Sequence, residues 1–443
     1  MMLLLKNVSI ISKEKMVIYK LLRSSLFRNA GVYTIANVVN SSIPFLLLPI
    51  LTRYLSPIEY GYISMFLVLV GFFNPLTGLS IHGAICRQYY ERDSIDFPKY
   101  VTNCLGILLI SSCIIGVVLF WFSKQISVIT LFSESWLWVL PIFSSSQFIV
   151  LVVLVLWQVQ RKTISYATFM ITQTLTNVGI SLWLVVGMRM GWQGRIEGQL
   201  AAIVIFAVLG LCILYRNGWL KFSIDSSYIK NALKFGVPLV PHALGGWVFT
   251  MMDKLFIANI VGIADAGIYA VGYQIGMIIS VVESYCNQAC VPWLYEKLKS
   301  GEEQIKIKIV RFTYAYFAGI LSLAFLLSLI GPKVINVFIG EKFSESGQII
   351  IWIAIGFALN GMYKMVANYI FYSQKTYMLT GITFFSAIVN IMLNYVLIRA
   401  NGIVGAAQAA TLTYLLFFLS TWYLSNRVFD MPWFEIKKLI NKK

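Results

Sequence analysis

The stretch Thr52–Ser64, TRYLSPIEYGYIS, has a diverged copy about 206 residues later, IANIVGIADAGIY at 257–269. At this offset Glu59 corresponds to Asp265 and Gly61 to Gly267, and each pair stands just before a long apolar run. Two copies of one segment at equivalent places in a hydrophobic chain are typical of membrane transporters that are built from repeats. The sequence therefore predicts one membrane unit that is present twice.

The composition indicates that most of this chain lies within a lipid bilayer. Of its 443 residues, 59% are hydrophobic and only 12% are charged, and the mean hydropathy is +0.78. A soluble domain has roughly 45–50% apolar and about 25% charged residues. Continuous apolar segments of about 20 residues cross the hydrocarbon as helices, whereas the strands of a barrel would alternate polar and apolar residues. The sequence therefore predicts an all-α integral membrane protein.

About twelve such segments follow one another. They lie near 31–51, 60–82, 100–122, 136–158, 166–188 and 195–215, and then near 235–257, 267–290, 310–330, 347–371, 378–398 and 403–424. Six helices return the chain to the side on which it started, so the second copy should have the same orientation as the first. We expect two parallel six-helix bundles around a central cavity.

The charges predict the boundaries and the orientation of these bundles. We divide the chain into an N-terminal segment at 1–28, a first bundle at 29–216, a linker at 217–234, a second bundle at 235–426 and a basic tail at 427–443. The net charge is +17, and most lysines and arginines lie before the first span, in every second loop and in the tail. By the positive-inside rule both termini are cytoplasmic. Such a basic rim suits anionic membrane lipids as partners, and we expect no nucleic acid partner.

The motifs of common enzyme classes are absent from this sequence. It has no glycine-rich nucleotide loop and no HExxH, and His82 and His242 are its only histidines. The longest predicted external segments have about a dozen residues, which is too short to hold a catalytic site of a membrane polymerase. The six cysteines show no metal-ligand spacing. We therefore expect no enzymatic activity, no catalytic residues, no cofactor and no metal.

Four charged residues inside the spans are the main candidates for a functional site. Asp253 and Lys254 lie late in the seventh span, Glu283 lies in the eighth and Lys364 in the tenth. A charge at the bilayer centre costs roughly 2.5–3.5 kcal/mol, so these side chains should face protein or water. Two structural alternatives stay open. Lys254 could reach the external interface, and Glu283 could simply pair with Lys364.

The spacing places these charges on polar helix faces. Glu283 and Asn287 share one face of the eighth span, and Asn360, Lys364 and Asn368 recur every four residues on the tenth. Asparagines inside spans are most often hydrogen-bond partners between helices.

Several runs of sequence resemble one family. They are LTRYLSPIEYGYISMF at 51–66, GLSIHGAICRQYYE at 78–91, FGVPLVPHALGGWVFTMMDKLFIA at 235–258 and GIYAVGYQIG at 267–276. They resemble polysaccharide transporters of the Wzx type, the O-antigen and exopolysaccharide repeat-unit flippases of the multidrug/oligosaccharidyl-lipid/polysaccharide exporter superfamily. The resemblance extends from about residue 25 to 425. It implies a MATE-like fold and alternating access. It also implies that an undecaprenyl-pyrophosphate-linked oligosaccharide moves from the cytoplasmic to the periplasmic leaflet of the bacterial inner membrane.

Such a substrate is anionic at one end, so the carrier needs cations and hydrogen-bonding groups. On this basis we expect Arg53, Lys254 and Lys364 to bind the pyrophosphate or acidic sugars. Asn360 and Asn368 should meet sugar hydroxyls.

The remaining carboxylates suit a coupling ion. Asp253 and Glu283 are the candidates for binding a proton or a sodium ion, since a partly desolvated carboxylate changes its affinity as the cavity opens and closes. Further candidate partners are the polysaccharide polymerase and the chain-length regulator.

Three alternatives stay open from the sequence. A multidrug or cation antiporter of the same superfamily would share the architecture, but its cavity should hold carboxylates and aromatic rings rather than lysines. A lipid II flippase also resembles this chain, but that class has two further C-terminal spans. A membrane polysaccharide polymerase is less favoured because no large external loop is present.

Overall fold

A computed structural model describes residues 25–300, 302–375 and 377–433. Most of the predicted N-terminal segment and of the basic tail therefore lie outside the described residues. Within these three ranges the chain forms helices joined by short turns and contains no β-strand.

From residue 25 onward, the described first half of the chain forms eight α-helices, six of them long. Their bounds are α1 Ser25–Tyr54, α2 Pro57–Thr77, α3 His82–Gln88, α4 Phe97–Trp121, α5 Ser123–Thr130, α6 Val139–Val159, α7 Thr163–Leu182 and α8 Gly191–Arg216. The quoted motif makes the turn from α1 into α2. Glu59 accepts a hydrogen bond from the Ser56 N–H at 2.8 Å, while Ser56 Oγ accepts one from the Glu59 N–H at 3.3 Å. This capping box, followed by proline at the first helical position, starts α2.

The described part of the second half forms seven α-helices. They are α9 Ser226–Gly236, α10 Leu239–Ile260, α11 Ile263–Gly276, α12 Ile278–Ser300, α13 Glu303–Val334, α14 Gly347–Tyr372 and α15 Tyr377–Val428. Helix α15 reverses direction at Gly402, which has φ 57° and ψ −136°. Asn390 Nδ2 donates to Thr413 Oγ1 at 3.1 Å, although these residues would be roughly 35 Å apart on a straight helix. Helix α15 is therefore a hairpin that contains the predicted eleventh and twelfth spans.

The described residues contain ten helical segments that are long and apolar enough to cross a membrane. The last of these is the α15 hairpin, which supplies two spans. Helix α1 has 30 residues and accounts for the first predicted span. The prediction of about twelve spans is confirmed, and the chain is a multi-pass membrane protein.

The two copies of the repeat meet directly. We call the end of the bundles where α1 joins α2 and α10 joins α11 the corner end, and the opposite end the linker end. A Cβ atom at Gly61 would stand 2.0 Å from the carbonyl oxygen of Ile263, and one at Gly267 would stand 2.1 Å from that of Pro57. Pro57 and Ile263 are related by the same offset as the two glycines. The contact between α2 and α11 is therefore reciprocal, as expected for two related units that face each other across a pseudo-two-fold axis.

Apolar side chains from both halves surround this contact. Leu51 and Leu55 at the end of α1 belong to one buried cluster with Val271 of α11 and Phe343, which precedes α14. The Tyr60 hydroxyl donates to Gln274 Oε1 at 3.2 Å across the same interface. The bundles are thus joined at the corner end.

The predicted linker at 217–234 packs on the first bundle. Lys99 pairs with Asp225 at 2.8 Å and Lys221 with Asp96 at 2.6 Å. The hydrogen bonds from these lysines hold the pKa of each carboxyl below its usual range, so both pairs stay charged at neutral pH and weaken only in acid. The connection to the second bundle then consists of residues 237–238, between α9 and α10. The domain boundaries themselves stay a prediction.

We expect Gly267→Ala to open the corner end. The new methyl group would stand 2.1 Å from the Pro57 carbonyl oxygen and 2.7 Å from the Gly61 nitrogen, backbone atoms that only a helix movement can displace. Overpacking costs about 1–3 kcal/mol. In a cysteine-free background, Leu55→Cys should therefore react several-fold faster with a water-soluble maleimide. Gly106→Ala is the matched control, because its methyl group would meet no atom within 4 Å. Equal labelling rates in the two alanine variants would contradict this expectation.

Candidate functional site

The predicted polar faces of α12 and α14 lie against each other. Lys364 Nζ is 2.7 Å from Glu283 Oε1, and Asn360 Nδ2 donates to the same oxygen at 3.2 Å. Further along, Asn368 Nδ2 donates to Asn287 Oδ1 at 2.9 Å. We call these five residues the polar seam. The structure shows that Glu283 pairs with Lys364, which is one of the two alternatives that the sequence left open.

The ion pair in the seam is asymmetric. The Glu283 side chain is 0% exposed, whereas that of Lys364 is 30% exposed. Glu283 Oε2 has no hydrogen-bond partner among the described residues, and neither has the hydroxyl of Tyr316. A Cβ atom at Gly361 would stand 2.7 Å from that hydroxyl and 2.8 Å from Glu283 Cβ, so only glycine fits between them. Because buried polar atoms are rarely left unpaired, the free oxygen is an acceptor that a proton or a cation can use.

Asp253 and Lys254 form a second group, the tyrosine cluster, with Tyr269 and Tyr273. The Tyr269 hydroxyl donates to Asp253 Oδ2 at 2.6 Å. Lys254 Nζ donates to the Thr250 carbonyl oxygen at 3.0 Å and lies 4.1 Å from the centroid of the Tyr273 ring. The cation is therefore stabilised by a carbonyl dipole and a ring face.

The structure corrects one alternative for this group. Lys254 is only 6% exposed, so the possibility that it reaches the external interface is wrong. Its side chain turns back along α10 toward Thr250, and Tyr273 of the next helix covers it. The sequence could not show this, because the ring comes from another element.

The residues predicted to bind substrate lie in three places. Lys364, Asn360 and Asn368 are in the polar seam, Lys254 is in the tyrosine cluster, and Arg53 is exposed at the end of α1. No described contact joins Arg53 to either group. The two predicted ion-coupling residues are divided likewise, with Glu283 in the seam and Asp253 in the cluster. Their roles stay predictions.

Sequence reasoning missed a polar cavity in the first bundle. It has a volume of about 480 Å³ and lies in the linker-end half of the bundle, and Ala243 of α10 also lines it. We call it the amide cavity because side-chain amides dominate its polar lining residues, which are Asn40, Asn74, Ser80, His82, Ser144, Gln147, Gln173 and Thr174. The sequence does show uncharged polar residues inside the spans. They indicate a functional site less strongly than charged residues do, because polar residues commonly form hydrogen bonds between helices.

The described residues contain no group of three or more His, Cys, Asp or Glu side chains that could hold a metal ion.

Comparison with known proteins identifies the family. The model of the polysaccharide biosynthesis protein family matches residues 26–297, which include the first bundle, the linker and the second bundle as far as most of α12. The chain belongs to this family.

One relative is named "Probable low-salt glycan biosynthesis flippase Agl15", from Haloferax volcanii. It is 21% identical over 416 residues, which cover 91% of this chain and 84% of that protein. Among solved structures, the lipid II flippase MurJ in an inward closed conformation matches with a TM-score of 0.74 at 13% identity, over 92% of this chain and 89% of MurJ. An inward-facing multidrug resistance MATE family transporter of the MOP superfamily matches with a TM-score of 0.65 at 14% identity, over 87% and 94% of the two chains. The predicted MATE-like fold is confirmed.

The asymmetric ion pair generates a stability prediction. Lys364→Met leaves the buried Glu283 carboxylate without a counter-ion, and breaking a buried pair in this way costs about 3–5 kcal/mol. Glu283→Gln leaves a partly exposed lysine that water can solvate, so its cost should be only about 1 kcal/mol. Thermal unfolding in detergent should rank Lys364→Met as the less stable variant. The double variant should recover most of the loss, and equal midpoints for the two single variants would contradict the assigned burial.

Proposed function

We propose that this protein is a flippase. It moves an undecaprenyl-pyrophosphate-linked oligosaccharide, the repeat unit of an O-antigen, capsule or exopolysaccharide, from the cytoplasmic to the periplasmic leaflet by alternating access. The family assignment, the two-bundle transporter fold and the relative named as a glycan flippase support this proposal. A substrate with a charged pyrophosphate and a polar glycan needs buried cations and uncharged hydrogen-bonding groups, and the spans of this chain contain both.

The observation that carries the proposal is the exposed side of Lys364. Among the described residues, Lys364 has one counter-ion, the buried Glu283. Part of the Lys364 side chain is exposed. A lysine ammonium is a mobile point charge that binds phosphate well. We propose that the pyrophosphate competes with Glu283 for Lys364. Asn360 and Asn368 meet the neighbouring sugar, while Arg53 and Lys254 attract the anion along the rest of its path.

This competition provides a route to ion coupling. When the anion takes Lys364, Glu283 is left as a buried carboxylate without a counter-ion, a state that is strongly unfavourable unless it binds a proton or a cation. The other titratable side chains that interact with it are Tyr316, Tyr414 and Cys286. We propose that a proton or a sodium ion bound at Glu283 couples the ion gradient to transport, with Asp253 as a second ion site.

The charge distribution orients the proposed carrier. The linker end is the cytoplasmic side and the corner end the periplasmic side of a bacterial inner membrane, with both termini in the cytoplasm. The joined corner end then closes the carrier on the periplasmic side. The polymerase and the chain-length regulator act on the product there.

A strain that lacks its repeat-unit flippase tests the function. We expect the wild-type gene to restore surface polysaccharide and to reduce accumulated lipid-linked precursor. Lys364→Gln should lower the restored polysaccharide at least tenfold, because the proposed anion contact is lost. Lys375→Gln is the matched control, since Lys375 is exposed in the turn after α14.

Other outcomes would favour the alternatives. Rescue of a strain depleted of its lipid II flippase would indicate the cell-wall substrate, and extrusion of cationic dyes would indicate an antiporter. To test coupling, flux into proteoliposomes is measured with and without an imposed proton or sodium gradient. Glu283→Gln should remove the gradient dependence, whereas Glu296→Gln, exposed on the same helix, should keep it. Unchanged flux in Glu283→Gln would reject its coupling role.

A further inference from the structure

The amide cavity differs chemically from the polar seam. Among the residues that the structure describes, no Asp, Glu, Lys or Arg lines it. The only titratable side chain in the described lining is His82, at the start of α3. Burial lowers the pKa of this histidine, so the ring is neutral at pH 7. The cavity is thus polar without being charged. A neutral polar ligand therefore suits it better than an anion, which would gain no counter-ion, or a cation that would need a carboxylate.

Two buried atoms in its wall lack partners. Asn74 Nδ2 donates to Gln147 Oε1 at 2.7 Å, but Asn74 Oδ1 has no hydrogen-bond partner among the described residues. The hydroxyl of Ser144 has none either. Elsewhere in the lining, the Thr174 hydroxyl donates to Asn40 Oδ1 and joins α7 to α1. An acceptor and a hydroxyl without protein partners therefore lie just beneath the surface of the cavity, beside amides that are already fixed in place.

This combination matches a carbohydrate. A sugar ring presents neighbouring hydroxyl groups that both donate and accept, and side-chain amides do the same in a fixed geometry. A buried polar atom without a partner destabilises the protein. A ligand that hydrogen-bonds to both unpaired atoms removes this penalty, which increases its affinity. The volume of about 480 Å³ lies within the range of roughly 300–1,000 Å³ that small-ligand sites occupy.

We propose that the amide cavity is a binding site for an uncharged sugar of the transported glycan. This inference rests on the proposed function and extends it to the first bundle. The second bundle would hold the charged end of the substrate at Lys364, while the first bundle holds one or two neutral sugar units. Ala243 in the lining of the cavity belongs to α10, so relative motion of the bundles changes the shape of the cavity.

Ser144→Ala is the most informative variant. It removes a hydroxyl that has no protein partner, so a purely structural role predicts unchanged or slightly higher stability and unchanged transport. If the hydroxyl binds sugar, stability is kept but affinity falls by roughly three- to tenfold, the effect of one lost hydrogen bond. Gln147→Leu should lower affinity further, and Gln288→Leu, exposed on α12, is the matched control.

The binding test uses monosaccharides on the full-length protein in nanodiscs. Saturation-transfer NMR is recorded with N-acetylglucosamine, methyl glucoside and glucuronic acid. We expect a signal from the neutral sugars that weakens in Ser144→Ala and in Gln147→Leu and is unchanged in Gln288→Leu, with a weaker signal or none from glucuronic acid. Equal binding of all three sugars, or neutral-sugar signals that the cavity variants leave unchanged, would overturn the inference.

This outcome is separable from the proposed function. If the wild-type protein restores surface polysaccharide and Ser144→Ala restores as much, the flippase assignment stands and the sugar site is rejected. If the protein binds neutral sugars through the cavity but does not restore polysaccharide, the site stands and the assigned transport is rejected.

Discussion

The reciprocal contact between Gly61 and Gly267 is the constraint on which the arrangement of the two bundles depends. Each glycine lets the backbone of the other copy approach to a distance that no side chain would allow. The neighbouring apolar cluster and the bond from Tyr60 to Gln274 then close the corner end. The contact consists of closely packed backbone and small residues. It depends on short distances, so a small rotation of one bundle breaks it completely. A carrier that alternates between two states needs such a seal.

The two copies have diverged in chemistry while keeping this contact. At the common offset, Asp253 and Lys254 correspond to Leu47 and Leu48, and Glu283 corresponds to Thr77. The buried charges of the second bundle thus replace uncharged residues of the first, whose own polar groups form the amide cavity. The proposed division of the substrate follows from this, with the pyrophosphate held by the second bundle and a neutral sugar by the first.

Much of the fold was predictable, because lipid forces each span to be a long apolar helix and the repeat relates one half to the other. The facing polar stripes of α12 and α14 were also visible, since a charge inside a span must find a partner. Other features depend on contacts between distant elements. Tyr273 covers Lys254 from a neighbouring helix, and α15 turns back at Gly402. The amide cavity stayed hidden because Asn74 and Ser144 look like ordinary interhelical polar residues until their unpaired atoms are seen.

The central claim is that the two bundles rock against each other so that the joined corner end opens as the linker end closes, and paired distances between spin labels test it most directly. In a cysteine-free background, one pair is placed at the exposed positions Tyr54 and Val261 at the corner end, and another at Ile164 and Tyr377 at the linker end. Both pairs are measured in nanodiscs with and without undecaprenyl pyrophosphate. We predict that the lipid populates a second state in which the corner distance lengthens while the linker-end distance shortens. Two distances that stay fixed, or that lengthen together, would contradict the rocking of two rigid bundles.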